Sequence, residues 1–127
     1  MVWIELVTVL ALLQLLGFGV LVGRARGKYG VQAPAVTGDP VFERYYRVQM
    51  NTLELLPALL VGLWLASRYW SPGWLAAIGA LYLLGRLMYL KAYVRDPAGR
   101  GAGFGLSFLA AAVLLLLALA GIVRSVL

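Results

Sequence analysis

The stretch Phe104–Val123, FGLSFLAAAVLLLLALAGIV, carries no charged residue. An apolar run of about 20 residues matches the hydrocarbon thickness of a bilayer when wound as a helix. The whole chain has 127 residues and is 63% hydrophobic, whereas a soluble domain is usually about half apolar. A core of this size cannot absorb that excess, and lipid can. Three further apolar segments precede the first: Val2–Gly23, Val48–Ala66 and Trp74–Tyr93. Each can cross a bilayer as a helix that satisfies its own backbone. The second is the weakest, because Asn51 and Glu54 lie inside it. Pro57 is expected to kink it, or to sit where a neighbour satisfies the freed carbonyl. The chain therefore reads as an all-α integral membrane protein. One four-helix bundle spans 1–127, with helices at about 2–23, 44–66, 74–95 and 104–123. The opening MVWIE lacks a basic n-region and a small-residue cleavage site, so it reads as part of the first helix.

The connections carry the charge. The stretch from Arg24 to Pro40, rich in Gly, Pro and Lys/Arg, reads as a loop. A short second loop turns at Ser71-Pro72-Gly73, and in the third, Asp96 and Pro97 are placed as N-cap and N1 of the fourth helix. Arg24, Arg26, Lys28, Arg44, Arg47, Lys91, Arg95 and Arg100 fall on one side of the membrane; only Arg68 and Arg124 fall on the other. Lys and Arg accumulate on the cytoplasmic side, so both termini are expected outside the cytoplasm. Trp3, Trp64, Trp70 and Trp74 all fall near that outer boundary, as an aromatic belt does. The net charge of +6 is thus explained by topology and does not call for a nucleic-acid partner.

There is no cysteine and no histidine. This excludes disulfides, a cysteine nucleophile, Cys/His metal sites and a histidine base. Chemistry must come from Arg, Glu, Asp, Tyr, Ser or Thr, or from a bound small molecule. Two polar stripes are candidates. In FERYYRVQMNTLE, Phe42–Glu54, the residues Arg47, Asn51 and Glu54 share one helical face. They run from the basic boundary into the apolar zone. Ionisable groups at that depth face protein or a wet cavity. Either the Arg and Glu glue helices together, or they line a pocket for a ligand with both signs of charge. In GRLMYLKAYVRDPAGR, Gly85–Arg100, Tyr82, Arg86, Tyr89 and Tyr93 form a stripe that ends at Arg95 and Arg100. Alone it would read as interfacial anchoring; two such stripes reaching the same membrane face argue for a site. Gly19 and Gly23 form a GxxxG that suits helix packing, and Gln14 suits an interhelical hydrogen bond. The glycines of GRGAGFG have no following Lys-Ser/Thr and form no phosphate loop.

At these two stripes the chain resembles the membrane-associated proteins in eicosanoid and glutathione metabolism. The hallmark F-E-R-x-Y-R-x-Q-x-N-x-x-E stands at Phe42, Glu43, Arg44, Tyr46, Arg47, Gln49, Asn51 and Glu54. The block R-x-x-Y-x-x-x-Y followed by Arg stands at Arg86, Tyr89, Tyr93 and Arg100. Leu55, Gly101 and the segment DPAGRGAGF look like bacterial members more than eicosanoid enzymes. The resemblance implies a homotrimer in the bacterial inner membrane, with glutathione held between subunits near the cytoplasmic face. It implies Arg26, Arg47, Asn51, Glu54, Tyr89 and Tyr93 as glutathione-binding residues, with Gln49 and Arg95 as further members. Arg100 would face the sulfur. The implied activity is a glutathione transferase, with or without peroxidase activity, that turns the thiolate on a hydrophobic electrophile arriving from the bilayer. Two rival readings are a non-catalytic lipid-binding scaffold of the same family and a small multidrug exporter. The exporter needs a membrane-embedded acid in its first helix, and Glu5 lies near the helix end.

The chemistry agrees with this implication. Glutathione carries two carboxylates and an ammonium. Arginine binds carboxylates in bidentate fashion and Glu54 can pair with the ammonium. The reactive thiol comes with the ligand, so the missing cysteine is no obstacle. A guanidinium favours thiolate, and a fall of about two pKa units corresponds to roughly 2.7 kcal/mol. Arginine cannot serve as a base at neutral pH, so its role is electrostatic.

Overall fold

The computed structural model describes residues 1–127. Four long helices account for nearly all of them: α1 (Val2–Tyr29), α2 (Pro40–Ala66), α3 (Pro72–Arg95) and α4 (Gly101–Val126). All four are long and apolar enough to cross a membrane. A 3₁₀ turn, Pro97–Arg100, leads straight into α4.

The helices outrun the apolar segments. α1 continues past Gly23 to Tyr29, so the expected loop from Arg24 shrinks; Gly30 ends the helix in the left-handed conformation (φ 70°). Its N–H returns to the carbonyl of Arg26, a termination that favours glycine. α2 begins at Pro40, where Asp39 accepts from the N–H groups of Val41 and Phe42. Asp96 does act as a cap, but of the 3₁₀ turn: its carboxylate accepts from Ala98 N–H. Pro57 lies inside α2 without ending it.

α1 and α4 lie on opposite sides of the central α2–α3 pair. The main core joins all four helices through Ile4, Leu59, Leu63, Leu75 and Leu114, each fully buried. Against this core the outer faces are apolar, as on α4, where Leu109 and Leu116 are 61% and 62% exposed. That inverts the soluble pattern and fits a lipid solvent. α3 and α4 pack closest. A Cβ on Gly103 would run into the backbone of Tyr89, and one on Gly85 would lie 2.8 Å from Ser107 N. Small residues that let backbones meet are the usual device where lipid leaves no hydrophobic drive between helices. Gly103 therefore serves helix contact. Gly19 abuts Gln49, whereas Gly23 meets nothing within 4 Å. Gln14 donates to the carbonyl of Leu83, 2.9 Å away, joining α1 to α3.

The bundle has a basic end and a tryptophan end. At the latter, Trp64 donates to Thr8 Oγ1 (2.9 Å) and Trp70 to the Leu117 carbonyl (2.8 Å), so both indoles also tie helices together.

Candidate functional site

Arg86 on α3 is fully buried with no carboxylate beside it. Its Nε and Nη2 donate to Ser107 Oγ at 3.0 and 2.6 Å. Its Nη1 donates to Asn51 Oδ1 at 2.7 Å and Thr52 Oγ1 at 3.3 Å. The guanidinium also lies over the Tyr89 ring, 4.5 Å from its centroid. One cation therefore locks α2, α3 and α4 together at membrane depth and fixes the orientation of Asn51. Arg86 was legible as part of a stripe, but Thr52 and Ser107 were not. The signal for Ser107 is that it stands as a lone hydroxyl in the charge-free run of α4.

Above this node lies the α2 stripe. Arg47 Nη1 meets Glu54 Oε1 at 3.1 Å, and the two side chains are 50% and 57% exposed. Glu54 sits near the middle of the 27-residue α2. The pair thus opens outward where a lipid-facing surface would be apolar. Next to it, Tyr89 and Tyr93 stack with centroids 5.3 Å apart. Phe104 of α4 lies 6.3 Å from Tyr89 and stacks on Phe108 at 5.7 Å. Gly103, three residues after Arg100, brings the start of α4 against the backbone of Tyr89. Arg100 itself stands exposed at the start of α4, with Nη1 donating to the Pro97 carbonyl at 3.2 Å.

Three expected members lie elsewhere in the chain. Arg26 is turned to the α1–α2 side: it donates to the Ala35 carbonyl at 2.6 Å and its guanidinium covers the Phe42 ring at 4.8 Å. Gln49 is on the same side, with Nε2 3.0 Å from where a Gly19 Cβ would stand. It is two residues from both Arg47 and Asn51, about 200° around the helix. Arg95 lines the cleft between α3 and α1 beside Lys91. Arg44, whose role sequence left open, donates to the carbonyls of Val94 and Arg95 at 3.1 and 3.4 Å and so closes the C-terminus of α3.

Within one copy, then, Arg47, Asn51, Glu54, Tyr89, Tyr93 and Arg100 gather on the α2–α3–α4 face, and Arg26 and Gln49 on the α1–α2 seam. The first set is a polar, two-sign patch inside an apolar bundle. The profile of the MAPEG family matches residues 4–120. The chain belongs to the MAPEG family.

Named relatives extend that match. The chain is 40% identical to human microsomal glutathione S-transferase 2 over 119 residues, covering 94% of this chain and 81% of the relative. It is 43% identical to leukotriene C4 synthase of Cavia porcellus over 114 residues, covering 90% and 75%. An uncharacterized protein of Synechocystis is 45% identical over 122 residues, covering 96% and 89%. The family match replaces the exporter reading. Two of these relatives are named for enzyme activities, a glutathione S-transferase and leukotriene C4 synthase.

Proposed function

We propose that this MAPEG protein is a membrane-bound glutathione transferase, a homotrimer whose glutathione sites lie between neighbouring copies. The observation that carries the reading is the Arg47–Glu54 pair, half exposed on the outer face of α2 near mid-helix. An ion pair left facing hydrocarbon is unfavourable. A neighbouring copy and a zwitterionic ligand would cover it. The donor set fits glutathione: guanidinium groups for its carboxylates, Glu54 for its ammonium, and Asn51 held in place by Arg86. The α1–α2 seam of a second copy, bearing Arg26 and Gln49, would complete the enclosure.

Glutathione supplies the thiol that attacks the second substrate. Arg47, Asn51, Glu54, Tyr89 and Tyr93 bind and orient the peptide. Arg100 would hold its guanidinium toward the sulfur and favour thiolate by charge. The exposed Phe104 and Phe108 border the site on the lipid side and offer an apolar approach for a hydrophobic electrophile. The same thiolate can reduce a hydroperoxide, so a peroxidase activity is compatible with these residues. We propose a bacterial inner membrane, because the segment DPAGRGAGF resembles bacterial members, and both termini outside the cytoplasm, on the eight-to-two split of Lys and Arg between the two faces.

Calorimetric titration of glutathione into purified protein, followed by a conjugation assay with an aryl halide, tests the reading. Saturable binding with turnover is expected. Binding without turnover would favour the lipid-binding scaffold, and no binding would refute the site.

A further inference from the structure

On the face away from the Arg47–Glu54 pair, α1 and α3 part to form a cleft. Its membrane-embedded portion is a trench of about 580 Å³. Leu10, Leu13, Gly17 and Leu21 of α1 form one wall, Leu83, Leu87 and Leu90 of α3 the other. Toward the basic end the trench continues, through Leu21 and Leu90, into a space of about 420 Å³ lined by Tyr45, Lys91 and Arg95. That space shares Leu21 and Tyr45 with a third of about 320 Å³, bordered by Arg24 and Lys28. The cleft is thus lined mainly by apolar side chains, with Gln14 and Phe18 also bordering the trench, and is basic at its mouth. None of the three spaces is lined by a carboxylate. The chain's ion pair is Arg47–Glu54, which leaves Arg24, Lys28 and Lys91 without an acidic partner.

We infer that this cleft binds an anionic phospholipid, with its phosphate at Arg24, Lys28 and Lys91 and an acyl chain in the α1–α3 trench. Charge complementarity identifies the occupant. Basic residues at the membrane surface attract anionic headgroups, while neutral detergent or a zwitterionic lipid gains little from these three cations. Length agrees as well. Leu10 to Leu21 spans eleven helical steps, about 16.5 Å at 1.5 Å per step, close to one leaflet of a hydrocarbon core about 30 Å thick. Gly17 leaves the trench floor open, since nothing lies within 4 Å of where its Cβ would be. Arg26 stands nine residues from Gly17, on the opposite side of α1. The cleft therefore remains free when the α1–α2 seam is covered by a second copy.

Native mass spectrometry with phosphatidylglycerol and phosphatidylcholine of identical acyl chains tests the inference. The wild-type protein is expected to retain phosphatidylglycerol at least about tenfold better. The triple variant Arg24→Gln/Lys28→Gln/Lys91→Gln should lose that preference. The variant Gly17→Phe should weaken both lipids, because its ring enters the acyl trench. Inorganic phosphate at millimolar concentration should not displace the lipid, since the trench contributes to binding. Arg24→Lys/Lys91→Arg, which keeps the charge, should retain the preference and guards against a folding defect. Equal retention of the two lipids by the wild type would overturn the proposal. So would a preference that survives the triple substitution, a Gly17→Phe variant that binds normally, or displacement by phosphate alone. None of the substituted residues is assigned to glutathione, so glutathione calorimetry on the same variants should be unchanged, which separates this test from that of the transferase reading.

Discussion

Arg47, Arg86 and Arg100 carry the same charge and are set to different tasks by their surroundings. Arg47 is half exposed beside Glu54, and in the proposed site it would hold a glutathione carboxylate. Arg47→Ala should raise the glutathione dissociation constant by about 10- to 100-fold, the loss of a charge-assisted contact of about 1.5–3 kcal/mol, read by calorimetry. Arg100 is expected to act on the sulfur. Arg100→Ala should lower kcat about 10²- to 10³-fold, as removal of one electrostatic donor does elsewhere, with a much smaller change in glutathione affinity. Arg100→Lys keeps the charge but not the planar guanidinium. A lysine variant that conjugates at the wild-type rate with an unshifted thiol pKa would refute the specific role. Arg86 is structural by comparison: Ser107 Oγ receives two of its N–H groups. Ser107→Ala should therefore destabilise the protein by about 1–3 kcal/mol through unsatisfied buried donors. A thermal melt in detergent measures it, with Ser125→Ala near the chain end as the control. Sequence placed Arg47 and Arg100 on the basic side of the membrane and Arg86 in the polar stripe of the third helix. It did not show which way each turns, because rotation within a bundle is decided by partners such as Ser107 that carry no signature of their own.

The helices were legible wherever hydropathy is the whole signal. The charge-free run in α4 and the apolar part of α1 are examples. Their ends were not legible for the same reason. GRARGKY looks like loop by composition, yet it forms helical turns that leave the hydrocarbon and stay wound, since a helix satisfies its own backbone in water as well as in lipid. Local chemistry then fixes the boundaries: the Asp39 cap on α2 and the left-handed Gly30 after α1. The glycines around Arg100 look alike in sequence and differ in packing. Gly103 meets the backbone of Tyr89, while Gly101 meets nothing within 4 Å. Gly103→Leu should force α3 and α4 apart, lower the melting temperature and impair glutathione binding through displaced Tyr89. Gly101→Ala should leave both unchanged. A Gly103→Leu protein with native stability would contradict the close approach.

At the scale of the whole molecule, the candidate residues do not close around a ligand within one copy. Arg26 and Gln49 lie along the α1–α2 seam, and Arg47, Glu54 and Tyr93 on the other face. The hallmark motif places Gln49 between Arg47 and Asn51 in sequence, which hides the fact that a helix sends alternate residues to opposite sides. A homotrimer that sets the seam of one copy on the face of the next would reunite them. The most direct measurement of this account is glutathione binding by mixed assemblies. Arg26→Ala/Gln49→Ala chains and Arg47→Ala/Glu54→Ala chains are purified separately and then co-assembled in the membrane. Neither should bind glutathione alone, and the mixture should regain calorimetric binding and aryl halide conjugation at those interfaces where an intact seam meets an intact face. A mixture as inert as its parents, or a seam variant that binds glutathione like the wild type, would contradict a site shared between copies.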